Sequence, residues 1–200
     1  MKNTFYLLLA VLAVLLIRNW EGRDIVHPPG VLVPETPRQL DMAEARPFPV
    51  DDFMVTPRAE FGIRARVLSR ENYYMGEESE LSPVDLALGW GVMSDQAVLD
   101  RIDISQGGRW YFTRYDHPAP ISDQQIIRHS GNMHMIPAND WVEGKLGDIR
   151  PGDLIQARGF LVDVGRDDGF HWNTSRSRND TGNGSCEIFY VEQIFLEPRP

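Results

Sequence analysis

The sequence predicts a mainly β or α+β domain, a small curled sheet or OB-like barrel with short inserted helices, preceded by an N-terminal membrane helix. Three observations predict it. Apolar Phe61, Ile63, Ala65 and Val67 alternate with Gly62, Arg64 and Arg66, the period of a half-buried strand. Arg150-Pro151-Gly152-Asp153 is a turn that feeds a long strand, Leu154 to Val164, with Gly159 inside it to permit a sharp bend. The helical segments between strands are short, which favours a curled sheet over a layered α/β fold.

The chain opens with Lys2 and an unbroken apolar run of thirteen residues, Phe5 to Ile17, closed by Arg18. As a helix this run spans about 20 Å, short of the ~30 Å hydrocarbon core of a bilayer. No small-x-small cleavage pair follows it, since Arg18, Asn19 and Trp20 stand there. Lys2 and Arg18 can snorkel and Trp20 suits the headgroup level. Residues 1–20 therefore read as a signal anchor rather than a cleaved signal peptide. The expected location is membrane-anchored, with the folded domain extracytoplasmic, on the periplasmic or cell-surface side.

Residues 21–57 carry Pro28, Pro29, Pro34, Pro37, Pro47, Pro49 and Pro57, and read as an extended spacer with a short helix around Arg38 to Ala45. Residues 58–200 are expected to form a single β-rich domain. Within it, Ser82-Pro83-Val84-Asp85 has the pattern of a helix start, and Ser94-Asp95 restarts a helix through Leu99. Gln106-Gly107-Gly108 between two aromatic or β-branched runs signals a hairpin. Ser122 caps a helix through Arg128. Asn132 to Ile136 reads as a strand, Asp140 to Leu146 as a helix, and Glu187 to Leu196 as the closing strand.

The formal net charge is −9, so the chain repels phosphate backbones and general nucleic-acid binding is excluded as an expectation. Cys186 is the only cysteine, and a lone thiol forms no internal disulfide. His129 and His134 are five apart, neither the helical nor the strand spacing of a metal pair. His117, His134 and His171 converge only if the fold brings them together, and Asp163, Asp167 and Asp168 sit in a reversal that needs no metal. No metal and no cofactor are expected, with a metal-dependent hydrolase around His134 and His171 as an alternative.

A thiolate needs a neighbouring base or cation to act as a nucleophile. Cys186 as nucleophile, His134 as base and Arg178 or Arg176 as oxyanion stabiliser is the candidate catalytic set. The order of His, Gly-Asp strand start and late Cys over the last 70 residues or so is similar to that of sortase transpeptidases. Two departures stand against the likeness. A polar Asp180-Thr181-Gly182-Asn183-Gly184-Ser185 precedes the cysteine, and no arginine lies on the strand after it.

Trp90, Trp110, Tyr111, His134, Trp172 and Arg176 are the candidate binding residues, since large amphipathic rings stack on sugars or grip a protein partner. Trp90 and Trp110 are also natural core residues. Leu86-Ala87-Leu88-Gly89-Trp90-Gly91-Val92-Met93-Ser94-Asp95, Asn132-Met133-His134-Met135-Ile136-Pro137-Ala138 and Arg150-Pro151-Gly152-Asp153 resemble an uncharacterised family of bacterial exported or membrane-anchored proteins. The resemblance spans about Phe61 to Leu196 and implies an envelope location without an activity. The expectation is a membrane-tethered binding module for an envelope protein or polymer, with a Cys–His acyl-transfer enzyme as the alternative.

Overall fold

A computed structural model describes Tyr6 and residues 24–177 and 186–200. The proposed anchor, residues 1–20, lies outside the described residues apart from Tyr6, as does Arg178. Among the described residues no helix is long and apolar enough to cross a membrane.

The alternation seen from Phe61 to Val67 belongs to one strand of twenty residues, β3 (Phe53–Asn72). Its inward positions Ala59, Phe61, Ile63 and Ala65 are buried. It is long enough to pair with four others. β1 (Arg38–Asp41), β2 (Phe48–Val50) and β4 (Val84–Gly89) join it antiparallel, and β8 (Leu154–Gly165) pairs antiparallel with it from Met54 to Arg66. β4 pairs antiparallel with β7 (Ser130–Pro137), β7 runs parallel to β10 (Glu187–Leu196), and β10 returns antiparallel to β8. These pairings form a closed circuit, β3–β4–β7–β10–β8–β3, so the curled sheet has no free edge within its five main strands. β9 (His171–Trp172) pairs with the end of β8. β5 (Asp103–Gly107) and β6 (Trp110–Arg114) form a separate hairpin outside the circuit.

The interior is filled by alternate residues of the five strands, with Phe61 and Phe189 edge-to-face at 5.0 Å between ring centroids. Gly159 lies where β8 crosses a register shift in β10, and a Cβ there would stand 2.0 Å from the Tyr190 carbonyl oxygen. A side chain at 159 would hold the two strands apart, so the glycine is required here by close approach of the β10 backbone.

The helices are short: α1 (Glu77–Leu81), α2 (Gln96–Leu99), α3 (Asp123–His129) and α4 (Asp140–Asp148), with a 3₁₀ turn at Gly91–Ser94. Ser122 caps α3 in a capping box with Gln125, as its position predicts. The Ser82-Pro83 helix start does not form. Helix α1 ends just before it, and Val84–Gly89 is a strand buried at every position. A strand covered on both faces loses the alternation that marks strands, and its Pro–Val–Asp opening mimics a helix cap. The helix expected around Arg38 to Ala45 is likewise replaced by β1, because the edge of β3 was free to accept it.

The described part of the proline-rich stretch lies against the barrel, as a strap before β1 and as strands from β1 onward. The Ile25 amide donates to the Pro151 carbonyl, the Gly30 amide to Asp95, and the Val33 amide to the Ser94 hydroxyl. Val33 is fully buried in the main core.

Candidate functional site

β4 and β7 turn Val84, Leu86, Met133 and Met135 inward, and so place Asp85, Asn132 and His134 on the outer wall. Asp85 lies directly opposite His134 in the ladder, and Cys186 continues the row from Asn132 at the start of β10. An outer wall normally carries solvated side chains. This one is roofed over, so Asp85 is wholly buried and His134 nearly so.

The roof is the β5–β6 hairpin, which Gln106-Gly107-Gly108 signalled, although Gln106 and Gly107 belong to β5 and the turn itself is Gly108-Arg109. Gly108 (φ 58°) and Arg109 (φ 69°) are both left-handed, the geometry of a two-residue type I′ turn. A left-handed arginine is unfavourable by itself, and several contacts hold it. Its amide donates to the Tyr73 hydroxyl at 2.8 Å, and its guanidinium lies 3.8 Å over the Tyr73 ring. Nη1 donates to Asp85 Oδ1 at 2.7 Å, and Nη2 to the Ser82 carbonyl at 3.0 Å. The Arg109 carbonyl accepts from Asn132 Nδ2 at 3.1 Å and from the Cys186 thiol at 3.7 Å. Burial pushes the Tyr73 hydroxyl pKa up, which keeps it a neutral acceptor for that amide.

His134 Nδ1 stands 2.9 Å from the same Asp85 oxygen, though not aligned as a hydrogen bond. The imidazole stacks, tilted, on the Trp172 ring at 4.6 Å between centroids. One buried carboxylate thus faces an arginine and a histidine, with Trp172 closing the outer side.

Beyond this group opens a cleft of about 510 Å³, lined by Glu78, Gly108, Arg109, Trp110, His134, His171, Trp172, Asn173 and Cys186. Four residues that the sequence singled out separately, Trp110, His134, Trp172 and Cys186, come together here with His171. The others do not join them. Trp90 is buried in the core. Tyr111 lies behind the hairpin, its hydroxyl 2.6 Å from Ser130 Oγ and its pKa raised by burial. Arg176 lies 3.6 Å from Asp41, away from the cleft lining. Asp163 and Asp168 serve as structural partners, Asp163 of Arg58 and the Thr174 amide, Asp168 of Arg166 and the Phe170 amide. Among the described residues no three His, Cys, Asp or Glu side chains converge to hold a metal ion.

Asp85, Arg109 and Asn132 are the members that sequence reasoning missed. Asp85 was hidden by the apparent helix cap. Arg109 carried one signal, its place immediately after Gly107-Gly108 at a hairpin tip.

No family model, curated protein or solved structure matches the chain.

Proposed function

We propose that this protein is a binding module, tethered through residues 1–20, whose barrel presents the cleft at Trp110 and Trp172 to a hydroxyl-rich envelope polymer such as a glycan. The carrying observation is where the cleft sits. Numbered along the circuit, the five strands run 1-2-3-5-4-1 with strands 3 and 5 parallel and α4 between strands 3 and 4. This supports an OB-like reading of the barrel. OB-folds bind oligonucleotides and oligosaccharides on the strand 2–3 face, between the loops that follow strands 1 and 4. Here that face is β4–β7, and those loops supply Glu78, His171, Trp172 and Asn173.

Ligand class follows from the lining. Two tryptophans supply apolar faces for sugar rings, and Asn173, His171, Arg109 and Glu78 supply planar polar groups for hydroxyls. Glu78 on the wall and a net charge of −9 oppose a polyanion such as single-stranded DNA. The test is a titration of the full-length protein in neutral detergent, read by tryptophan fluorescence, with N-acetylglucosamine oligomers and with single-stranded DNA. Saturable sugar binding that is lost in Trp172→Ala supports the reading. Sugar binding absent from the wild type, or unaltered in that variant, removes it.

One observation favours a second reading, a Cys–His acyl-transfer enzyme. Cys186 and His134 line the same cleft, and Asp85 stands behind the imidazole as an orienting carboxylate would. The thiolate would add to an acyl carbon and expel an amine that takes its proton from His134. The sulfur lies 3.7 Å from the Arg109 carbonyl, to which the thiol donates, and 3.9 Å from Asn132 Nδ2, which donates to it. Iodoacetamide alkylation of the full-length protein decides this. A reactive thiolate alkylates well below the pH at which an ordinary thiol, pKa about 8.5, does so; an ordinary pH profile removes the reading.

A further inference from the structure

On the far side of the barrel wall four strands meet in one row. Arg38 of β1 is opposite Gly62 of β3, Gly62 is opposite Arg158 of β8, and Arg158 is opposite Gln193 of β10. The neighbouring row holds Arg64, Gln156 and Phe195 in direct register. Together with Thr36 these side chains line a cleft of about 320 Å³. Gly62 is its floor, and a Cβ there would meet nothing within 4 Å.

The charges in this row are unbalanced. Arg64 is neutralised, since Glu197 accepts from its Nε at 2.6 Å and its Nη2 at 2.8 Å, its Nη1 donates to the Leu32 carbonyl, and Glu35 Oε2 lies 3.7 Å from that Nη1. Arg38 and Arg158 have no ion pair among the described residues, although the chain carries nine more carboxylates than Lys and Arg side chains. The nearest carboxylate in register, Glu60, lies one row away, opposite Leu40 and Phe160, and pairs with neither arginine. Like charges gathered on one sheet face are mutually destabilising. With strands about 4.8 Å apart, the two arginines stand roughly 10 Å apart at their backbones. Their long side chains can therefore close over the glycine onto one anion.

We infer that this cleft is an anion site for a phosphate ester, with Arg38 and Arg158 gripping the phosphate over Gly62 and Gln156, Gln193 and Thr36 donating around it. Guanidinium groups match phosphate oxygens in paired hydrogen bonds, and a phosphate has oxygens enough to take such a pair from two arginines at once. Phe195 and Trp141, both half exposed and edge-to-face at 6.4 Å, form an apolar shelf beside the cleft. That shelf suits whatever carbon skeleton carries the phosphate, a lipid or a phosphorylated sugar. The site lies on a different face from the cleft at Trp172 and stands or falls independently of it.

The test uses the full-length protein in an uncharged detergent at low salt, with inorganic pyrophosphate as probe and calorimetry as readout. Gly62→Leu fills the floor without touching a charge, and its open surroundings leave folding intact, as a thermal melt will check. Arg158→Gln removes one grip. Saturable pyrophosphate binding weakened about tenfold or more in both variants is the expected result. A parallel arm measures extra retention on phosphatidylcholine vesicles when phosphatidic acid is added. Loss of that extra retention in both variants assigns a lipid phosphate; its absence in the wild type assigns a soluble phosphate ester. The inference is overturned if the wild type binds neither probe, or if neither substitution weakens binding.

Discussion

His134 of β7 stands 2.9 Å from Asp85, the residue directly opposite it on β4, and both side chains are shut off from water. A pair of this kind on the outside of a barrel exists only because another element covers it. Arg109 supplies the cover and the strongest partner of that carboxylate. The hairpin tip and the β4–β7 wall are therefore joined through one oxygen atom, Asp85 Oδ1, and the loop at Tyr73 is tied to the same tip through the Arg109 amide and guanidinium.

Replacing Asp85 by Asn keeps the shape and removes the charge. Arg109 is then left partly buried without a counter-charge, which destabilises on the order of 3 kcal/mol. Urea unfolding will measure it. Adding Arg109→Gln to Asp85→Asn should recover part of the loss, because the buried cation goes too; simple addition of the two single effects would show that they do not interact.

Val33 tests whether the proline-rich strap belongs to the fold. It is fully buried against the main core, and its amide donates to Ser94 Oγ at 3.0 Å. Val33→Ala removes two buried methyl groups and leaves a gap, for a loss of roughly 2 kcal/mol. A surface spacer would register almost no change in the same denaturation curve.

Gly159 lies where the backbone of β10 leaves no room for a side chain on β8. Gly159→Ala puts a methyl group 2.0 Å from the Tyr190 carbonyl oxygen, in backbone that cannot yield without opening the β8–β10 pairing. The expected cost exceeds about 2 kcal/mol. Gly144→Ala on α4, where a Cβ meets nothing, is the control and should be neutral or slightly stabilising.

Arg64 holds the Glu197 carboxyl below the usual carboxylate range through their hydrogen bonds. The unfolded chain, with Glu at roughly 4.3, takes up this proton more readily than the folded one. The contribution of the pair is complete above that value and is lost as pH falls through the lower, folded pKa. Wild type and Glu197→Gln should differ in stability at roughly pH 6, and the difference should shrink as pH falls below the ordinary Glu value, as thermal melts across the acid range will show. A constant difference would mean that the effect is packing rather than charge.

Much of the barrel was legible because its signals are local. The alternation at Phe61–Val67, the Gly-Asp lead into β8 and the Ser122 cap each act within a few residues and formed where they were read, while the hairpin formed with its turn one residue later, at Gly108-Arg109. The sequence by itself determined that strands would dominate, and it named Trp110, His134, Trp172 and Cys186 without placing them. Tertiary structure alone decided that these four share a cleft with Arg109, with Asp85 buried behind it, because β4 sets residue 85 opposite 134 on β7 and the start of β10 brings Cys186 beside Asn132, across distances no local pattern spans. It also decided that Val84–Gly89 is a strand and that the proline stretch is a strap. A segment covered on both sides carries no alternation to read, and an extended chain looks the same free in water as it does laid along a barrel.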